Sequence, residues 1–298
     1  MKNQMSMFDL DEINIEPSII NVSSVPQRSP FRYPGGKTWL IPTVRQWLKQ
    51  ENKPVCLLIE PFAGGGIVSL TAAFEKLAEK ITMVELDEEI AAVWEAILNG
   101  KNKWLADKIY SFELSYENIK TELDNPNKQL HDVAFCTILK NRIFHGGILA
   151  KGSGMIKNGE NGKGIASRWY PKTLHDRIIS IGFVQDKIRF IAGDAFLSIE
   201  QNLGNEDAYF FIDPPYTVAG KRLYTHFEIN HKRLFELTSQ IKGRFMLTYD
   251  DTSEIRQLAE KYCLQYRTIP MKTTLHYKKN EIIISDNFNW WREGACCQ

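Results

Sequence analysis

Short, nearly continuous apolar strings alternate along this chain with segments of helical period. Seven β-rich strings stand at 55–60, 81–85, 188–192, 209–213, 245–249, 264–269 and 281–285, each bounded by polar residues or by Gly and Pro. Strings such as Tyr209-Phe210-Phe211-Ile212 suit strands covered on both faces, as in a parallel sheet flanked by helices. Helical periods fill 66–78, 88–98, 195–202, 231–241 and 252–262, and a further helix over 38–50 carries Leu40, Ile41, Val44, Trp47 and Leu48 on one face. The alternation predicts an α/β fold with a doubly wound, mostly parallel seven-stranded sheet. It breaks over 99–186, where helical stretches at 104–123 and 132–144 lead into a Gly-rich loop. We therefore expect an N-terminal arm (1–27), a sheet domain built from 28–98 and 187–298, and an inserted, mainly helical domain at 99–186.

Composition narrows the class. Of 298 residues, 43% are hydrophobic and 24% charged, which is ordinary for a folded globular chain and argues against disorder. No run reaches the ~20 apolar residues that span a bilayer. The first 27 residues carry Asp9, Asp11, Glu12 and Glu16 and do not read as a signal peptide, so the cytoplasm is the expected compartment, with no membrane partner. The five cysteines have no CxxC spacing, and neither a metal site nor a disulfide framework is expected. The net charge of +1 predicts no polyanion partner, but its distribution does. Residues 137–178 hold eight Lys or Arg against two acids, a local +6, so the remainder carries −5. Seven glycines fall between Gly146 and Gly164, making a long basic loop suited to a phosphate backbone, although a solvated loop is the plainer reading.

Three motifs carry chemistry. Glu60-Pro61-Phe62-Ala63-Gly64-Gly65-Gly66 follows the first strand and opens a helix, where glycines admit a ligand close to backbone N–H groups. Glu85, at the end of the next strand, could accept both hydroxyls of a ribose; the pairing suits dinucleotide or S-adenosylmethionine sites, and the turn departs from GxGxxG. Asp213-Pro214-Pro215-Tyr216 ends the fourth strand at the sheet edge where such folds bind ligands. There a carboxylate and the Pro214 carbonyl, stiffened by the prolines, could both accept from one exocyclic –NH₂, with Tyr216 stacking on a base extruded from its helix. Gly36-Lys37-Thr38 imitates the end of a P-loop, but the required earlier glycine is Phe31 and no apolar strand precedes it, so Lys37 reads as a cation set at the mouth of the sheet.

Taken together these residues resemble the Dam-type, alpha-group adenine-specific DNA N6-methyltransferases. The resemblance spans about 31–285 and rests on Tyr33-Pro34-Gly35-Gly36-Lys37, the 60–66 turn, Asn141-Arg142, Asp213-Pro214-Pro215-Tyr216, and Lys278-Lys279-Asn280-Glu281 in this order. It implies S-adenosyl-L-methionine as cofactor, held by Tyr33, Lys37, Phe62, Gly64, Gly66, Glu85, Asp194 and Asp213. It implies that Asp213, Pro214, Pro215 and Tyr216 hold a flipped adenine of duplex DNA for direct methyl transfer to N6, without a covalent intermediate. Arg142, Lys151, Lys157, Lys163 and Arg168 become candidates for DNA contact. A cognate restriction endonuclease and a monomeric state are further implications. Glu85 stands where an aspartate is common, and the loop from Phe144-His145-Gly146-Gly147 to Trp169-Tyr170-Pro171 does not reproduce that of GATC-reading members, which leaves the target sequence open. The alternatives are an N4-cytosine or RNA amino-methyltransferase, since the amine-holding logic serves any exocyclic amine, and a catalytically silent DNA-binding regulator, against which the intact 213–216 motif argues.

Overall fold

The computed structural model describes residues 25–32, 36–150, 152–216, 228–272 and 278–291. The seven strings form seven strands: β1 Val55–Glu60, β2 Ala78–Glu85, β3 Ile188–Ala192, β4 Ala208–Ile212, β5 Arg244–Asp250, β6 Gln265–Lys272 and β7 Lys278–Ser285. They make one sheet of order β3-β2-β1-β4-β5-β7-β6, parallel from β3 to β5, with β7 antiparallel to both β5 and β6. This is a doubly wound, Rossmann-like α/β sheet. The strand order reverses between β1 and β4, which opens a crevice at their carboxyl ends.

Alternation within β4 explains its continuous apolar string. Tyr209 and Phe211 enter one hydrophobic cluster while Phe210 and Ile212 enter the other, so both faces of the strand are covered. The first cluster takes in α1 (Ile41–Leu48), α2 (Ile67–Phe74), α3 (Glu88–Ala96), α4 (Asn102–Ser111), α5 (Tyr116–Asp124), α6 (Leu130–Ile143) and α7 (Pro171–Ile181). The second takes in α8 (Ala195–Asn202), α9 (His231–Thr238) and α10 (Ser253–Lys261). The helices between β2 and β3 share their core with α3: Trp94 and Val93 lie in the same buried cluster as Leu105, Phe135 and Ile138.

Several boundaries differ from expectation, each for a local reason. The helix expected over 66–78 ends at Phe74 because Lys76 adopts a left-handed conformation (φ 55°), and the chain enters β2 at Ala78. The helix expected over 38–50 begins as a 3₁₀ turn, Lys37–Leu40, before α1. The stretch 104–123 is two helices, parted where Phe112 turns extended and the Ser115 hydroxyl caps α5 through the Asn118 N–H. Helix α7 takes the place of the last part of the expected loop; its glycine-poor sequence starts on Pro171, a favoured first helical residue, and buries Leu174, Ile178 and Ile181. No helix among the described residues is long and apolar enough to cross a membrane.

Candidate active site

Three strand ends and one turn meet at the crevice. Asp213 follows β4 directly, Thr248 and Asp250 lie at the end of β5, and Glu281 pairs with Asp250 across the antiparallel ladder. Because β7 runs against its neighbours, a residue near its start reaches the same edge as the carboxyl ends of β4 and β5. Lys37 arrives there from the 3₁₀ turn before α1.

Lys37 is the electrostatic centre. Its side chain is 3% exposed, with Nζ 2.8 Å from Asp213 Oδ1 and 3.9 Å from Glu281 Oε2. Burial alone would push its pKa down; Asp213 first, then Glu281, outweigh burial and hold it above the ordinary lysine value. Thr248 Oγ1 also donates to Asp213 Oδ1 at 2.8 Å, so Oδ2 is the oxygen still available to a ligand N–H. Tyr216 is fixed from two directions: its hydroxyl donates to Glu281 Oε2 at 2.9 Å, and its ring stacks on Tyr249 with centroids 5.8 Å apart. Lys37 Nζ stands 4.9 Å from the centre of the same ring. Desolvation, then Asp213 and Glu281, raise the Tyr216 pKa well above its ordinary value, keeping the phenol neutral and able to donate. Tyr249 is itself held by a 2.7 Å hydrogen bond between its hydroxyl and His231 Nδ1.

The glycine turn lies across the switch point. Gly64 and Gly66 take positive φ (47° and 61°), and a Cβ at Gly66 would stand 2.6 Å from Met83 and 2.8 Å from Trp94, so glycine is required there on both conformational and packing grounds. Trp94 Nε1 donates to the Gly64 carbonyl at 2.8 Å and pins the turn. Glu85 Oε2 accepts from Gly64 N at 2.8 Å and Oε1 from Asp87 N at 2.9 Å. Burial nevertheless pushes the Glu85 carboxyl up to about 7, the backbone donors from Asp87 and Gly64 opposing it. Beneath the turn Glu60 accepts from Ser69 N at 2.9 Å and is pushed up to about 8 by burial. Phe62 meets Phe196 edge to face at 6.3 Å, and Asp194 caps α8 through the Phe196 N–H at 2.7 Å. Phe62, Gly64, Gly66, Glu85, Asp194, Lys37 and the 213–216 motif thus lie at the carboxyl edge of the sheet, whereas Tyr33 lies outside the described residues.

The expected DNA contacts divide. Lys157 and Lys163 are exposed on the 144–170 segment and Arg168 is partly exposed, while Lys151 lies outside the described residues. Arg142 does not belong with them: it is 4% exposed and its guanidinium donates to the Pro30 carbonyl, so the position reads as an internal strut rather than a surface cation. Desolvation, then Arg177 and Arg32, lower its pKa to about 9. Sequence reasoning gave no role to Glu281, Thr248 or Asp250. Their signal was the presence of polar residues inside strands otherwise apolar, at the end facing the 213–216 motif.

The site's charge bears on the ligand. Among the described residues the carboxyl groups of Glu60, Glu85, Asp213, Asp250 and Glu281 accompany the ammonium of Lys37, and Glu85 occupies the Gly64 amide that a pyrophosphate would need. Such a donor set disfavours phosphate and fits a ligand that carries a ribose diol and a positive charge. Among the described residues no cluster of His, Cys, Asp or Glu could hold a metal ion.

No protein-family model matches the chain, and no curated relative does. Solved structures with a similar course include a Pyrococcus horikoshii protein described as a candidate RNA methyltransferase (12% identity, 86% of this chain and 84% of that one, TM-score 0.41). Others are the rRNA methyltransferase aviRa of Streptomyces viridochromogenes (11%, 85% and 86%, TM-score 0.38) and precorrin-6y C5,15-methyltransferase of Geobacter metallireducens GS-15 (10%, 82% and 85%, TM-score 0.36). At these identities and TM-scores the likenesses bear neither on the substrate nor on the role of any residue.

Proposed function

We propose that this protein is an S-adenosyl-L-methionine-dependent methyltransferase acting on the exocyclic N6 amine of adenine in duplex DNA. The observation that carries the reading is the state of Asp213. Lys37 and Thr248 hold one carboxylate oxygen, so the side chain is oriented and its second oxygen is left for an amine N–H. When bound, the cofactor supplies an electrophilic methyl on a sulfonium centre. The protein's part is to orient the nucleophile. Hydrogen bonds from the amine to Asp213 Oδ2 and the Pro214 carbonyl draw its hydrogens aside and favour a pyramidal nitrogen whose lone pair faces the methyl. The Tyr216 ring, anchored by Glu281 and Tyr249, offers the face that replaces lost base stacking. Glu85 accepts the ribose hydroxyls of the cofactor. As the N–C bond forms the methyl–sulfur bond breaks to release a neutral thioether, the surplus proton of the methylated amine passes by way of Asp213 Oδ2 to solvent, and no enzyme nucleophile is needed.

Exposed Lys157 and Lys163 on the segment between β2 and β3 support a nucleic-acid phosphate backbone as the partner of that segment, and the resemblance favours duplex DNA. The test is transfer of labelled methyl from S-adenosyl-L-methionine to unmethylated duplex DNA, with RNA in parallel, followed by nucleoside mass spectrometry and modification-aware sequencing. N6-methyladenine in one recurring short site is expected. Methylated cytosine or RNA would overturn the substrate and keep the chemistry; tight DNA binding without transfer would favour a regulator.

A further inference from the structure

The four residues ahead of the Lys37 segment are gripped from the region between β2 and β3. Asn141, fully buried on α6, accepts from the Arg32 N–H at 2.8 Å through Oδ1, and its Nδ2 donates to the Arg32 carbonyl at 3.0 Å and to the Gly147 carbonyl at 2.8 Å. One side-chain amide thus satisfies both backbone groups of a single residue, as a neighbouring strand would. Arg142 donates to the Pro30 carbonyl, and Arg177 from α7 donates to the Ser29 carbonyl at 3.0 Å. Phe31 packs its ring on Trp94 at 5.9 Å, and Trp94 in turn pins the glycine turn through the Gly64 carbonyl. The approach is close enough that a Cβ on Gly147 would stand 2.6 Å from the Arg32 carbonyl oxygen. Five residues after Arg32, Lys37 Nζ meets Asp213.

An amide at this position is poorly explained by packing alone. Asn is unfavourable in a helix interior, and a buried amide without partners costs more than an apolar residue of similar size. Here all its bonds go to backbone outside the helix, and two of the three go to the run-in to Lys37. We propose that Asn141 is a positioning residue of the candidate methyl-transfer site: through Arg32 it fixes the approach of Lys37, and so the orientation of Asp213, from the segment between β2 and β3. The inference rests on the function proposed above for its kinetic consequences, and on geometry alone for the clamp.

The test is a double-mutant cycle of Asn141→Ala with Lys37→Met, with Asn141→Asp as the variant that keeps the acceptor and shape but loses the donor. Methyl transfer to duplex DNA and hydrogen exchange of the peptide spanning residues 29–40 are measured on the full chain. Asn141→Ala is expected to lower kcat about tenfold while leaving KM for DNA within twofold, and to lower it less than twofold further once Lys37 is Met, because both changes act on one arrangement. Asn141→Asp should fall between Ala and wild type. Independent, multiplying losses, or a loss confined to KM for DNA, would overturn the proposal. Exchange at 29–40 should speed up about tenfold in Asn141→Ala, with β4 peptides unchanged. This arm needs no ligand. A wild-type protein that transfers no methyl but shows the exchange effect, non-additive with Lys37→Met, sinks the proposed function and keeps the clamp; transfer with unchanged exchange sinks the clamp alone. Should Asn141→Ala fail to fold, Asn141→Asp decides both arms by the same criteria.

Discussion

Lys37→Met tests the centre of the site most directly. Methionine fills the volume of the lysine stem and removes only the ammonium, which lies 2.8 Å from Asp213 and 3.9 Å from Glu281. Breaking a buried ion pair on one side costs about 3–5 kcal/mol, because the other charge stays behind. Here Asp213 keeps 21% of its side chain in solvent, which points to the low end, about 3 kcal/mol. For a chain of this size that is a fall of about 5–10 °C in Tm. The sign with pH follows from the raised Lys37 pKa: its contribution is fully present below the ordinary lysine value and is lost as pH rises through the raised one. The gap between wild type and variant should therefore be flat from about pH 6 to 9. Urea unfolding followed by near-UV circular dichroism gives the gap, and a filter-binding methyl-transfer assay gives the activity, expected to fall about a hundredfold as Asp213 loses its orientation. Combining the change with Asp213→Asn should restore part of the stability and none of the transfer. A loss below about 1 kcal/mol together with intact transfer would refute both the electrostatic argument and the site.

Four further outcomes follow from the same geometry. Because Glu85 is pushed up to about 7 and the ribose hydroxyls need its ionised form, affinity for S-adenosyl-L-methionine by calorimetry should rise as pH increases through 7 and level off above it, and Glu85→Gln should abolish that dependence. Glu60, pushed up to about 8, binds a proton in the folded state that the unfolded chain releases near pH 4.5; wild-type stability should therefore decline as pH rises from about 5.5 to 8.5, and Glu60→Gln should flatten the slope in thermal melts. Tyr216→Phe, which keeps the stacking face and loses the bond to Glu281, should cost only a few-fold in kcat, whereas Tyr216→Ala should cost roughly 10- to 100-fold in kcat/KM for DNA; equal losses would remove the stacking role. Gly66→Ala must accommodate a left-handed φ of 61° and a contact of 2.6 Å with Met83, and should lower stability by about 2 kcal/mol in urea titrations with loss of cofactor binding.

The strands were legible because burial on both faces leaves an unbroken apolar string, and the 208–212 string is buried at every position. The glycine turn and the 213–216 motif were legible for a related reason: they sit where strands end, and a strand end followed by glycines or prolines can be located without knowing its neighbours. What escaped depends on pairing. Glu281 reaches the site only because β7 runs antiparallel and sets it opposite Asp250, a register no local pattern encodes. The inward turn of Asn141 and Arg142, and with it the burial of the expected DNA contact Arg142, escapes for the converse reason. In sequence they begin a basic, glycine-rich stretch, and only the return of residues 29–32 against α6 turns them inward. Helix α7 was hidden inside the same stretch, since charged Lys172, Asp176 and Arg177 mask the spacing of Leu174, Ile178 and Ile181.

The carboxyl-rich cleft also explains why one lysine is buried there at all. A ligand that brings positive charge needs negative surroundings, yet an oriented carboxylate on the nucleophile side must not be drawn away by that charge. On the proposed function Asp213 meets both demands: one oxygen is committed to Lys37 and Thr248, and the other is left for a neutral amine. Glu281 serves a second purpose with the same lysine nearby, since the hydrogen bond it accepts fixes the Tyr216 ring. Glu85, at the glycine turn, accepts from two backbone N–H groups instead. The two halves of the crevice are thus stabilised by different means. Asp213 and Tyr216 both meet Lys37, and that contact ties their half of the crevice to the segment whose Arg32 Asn141 holds.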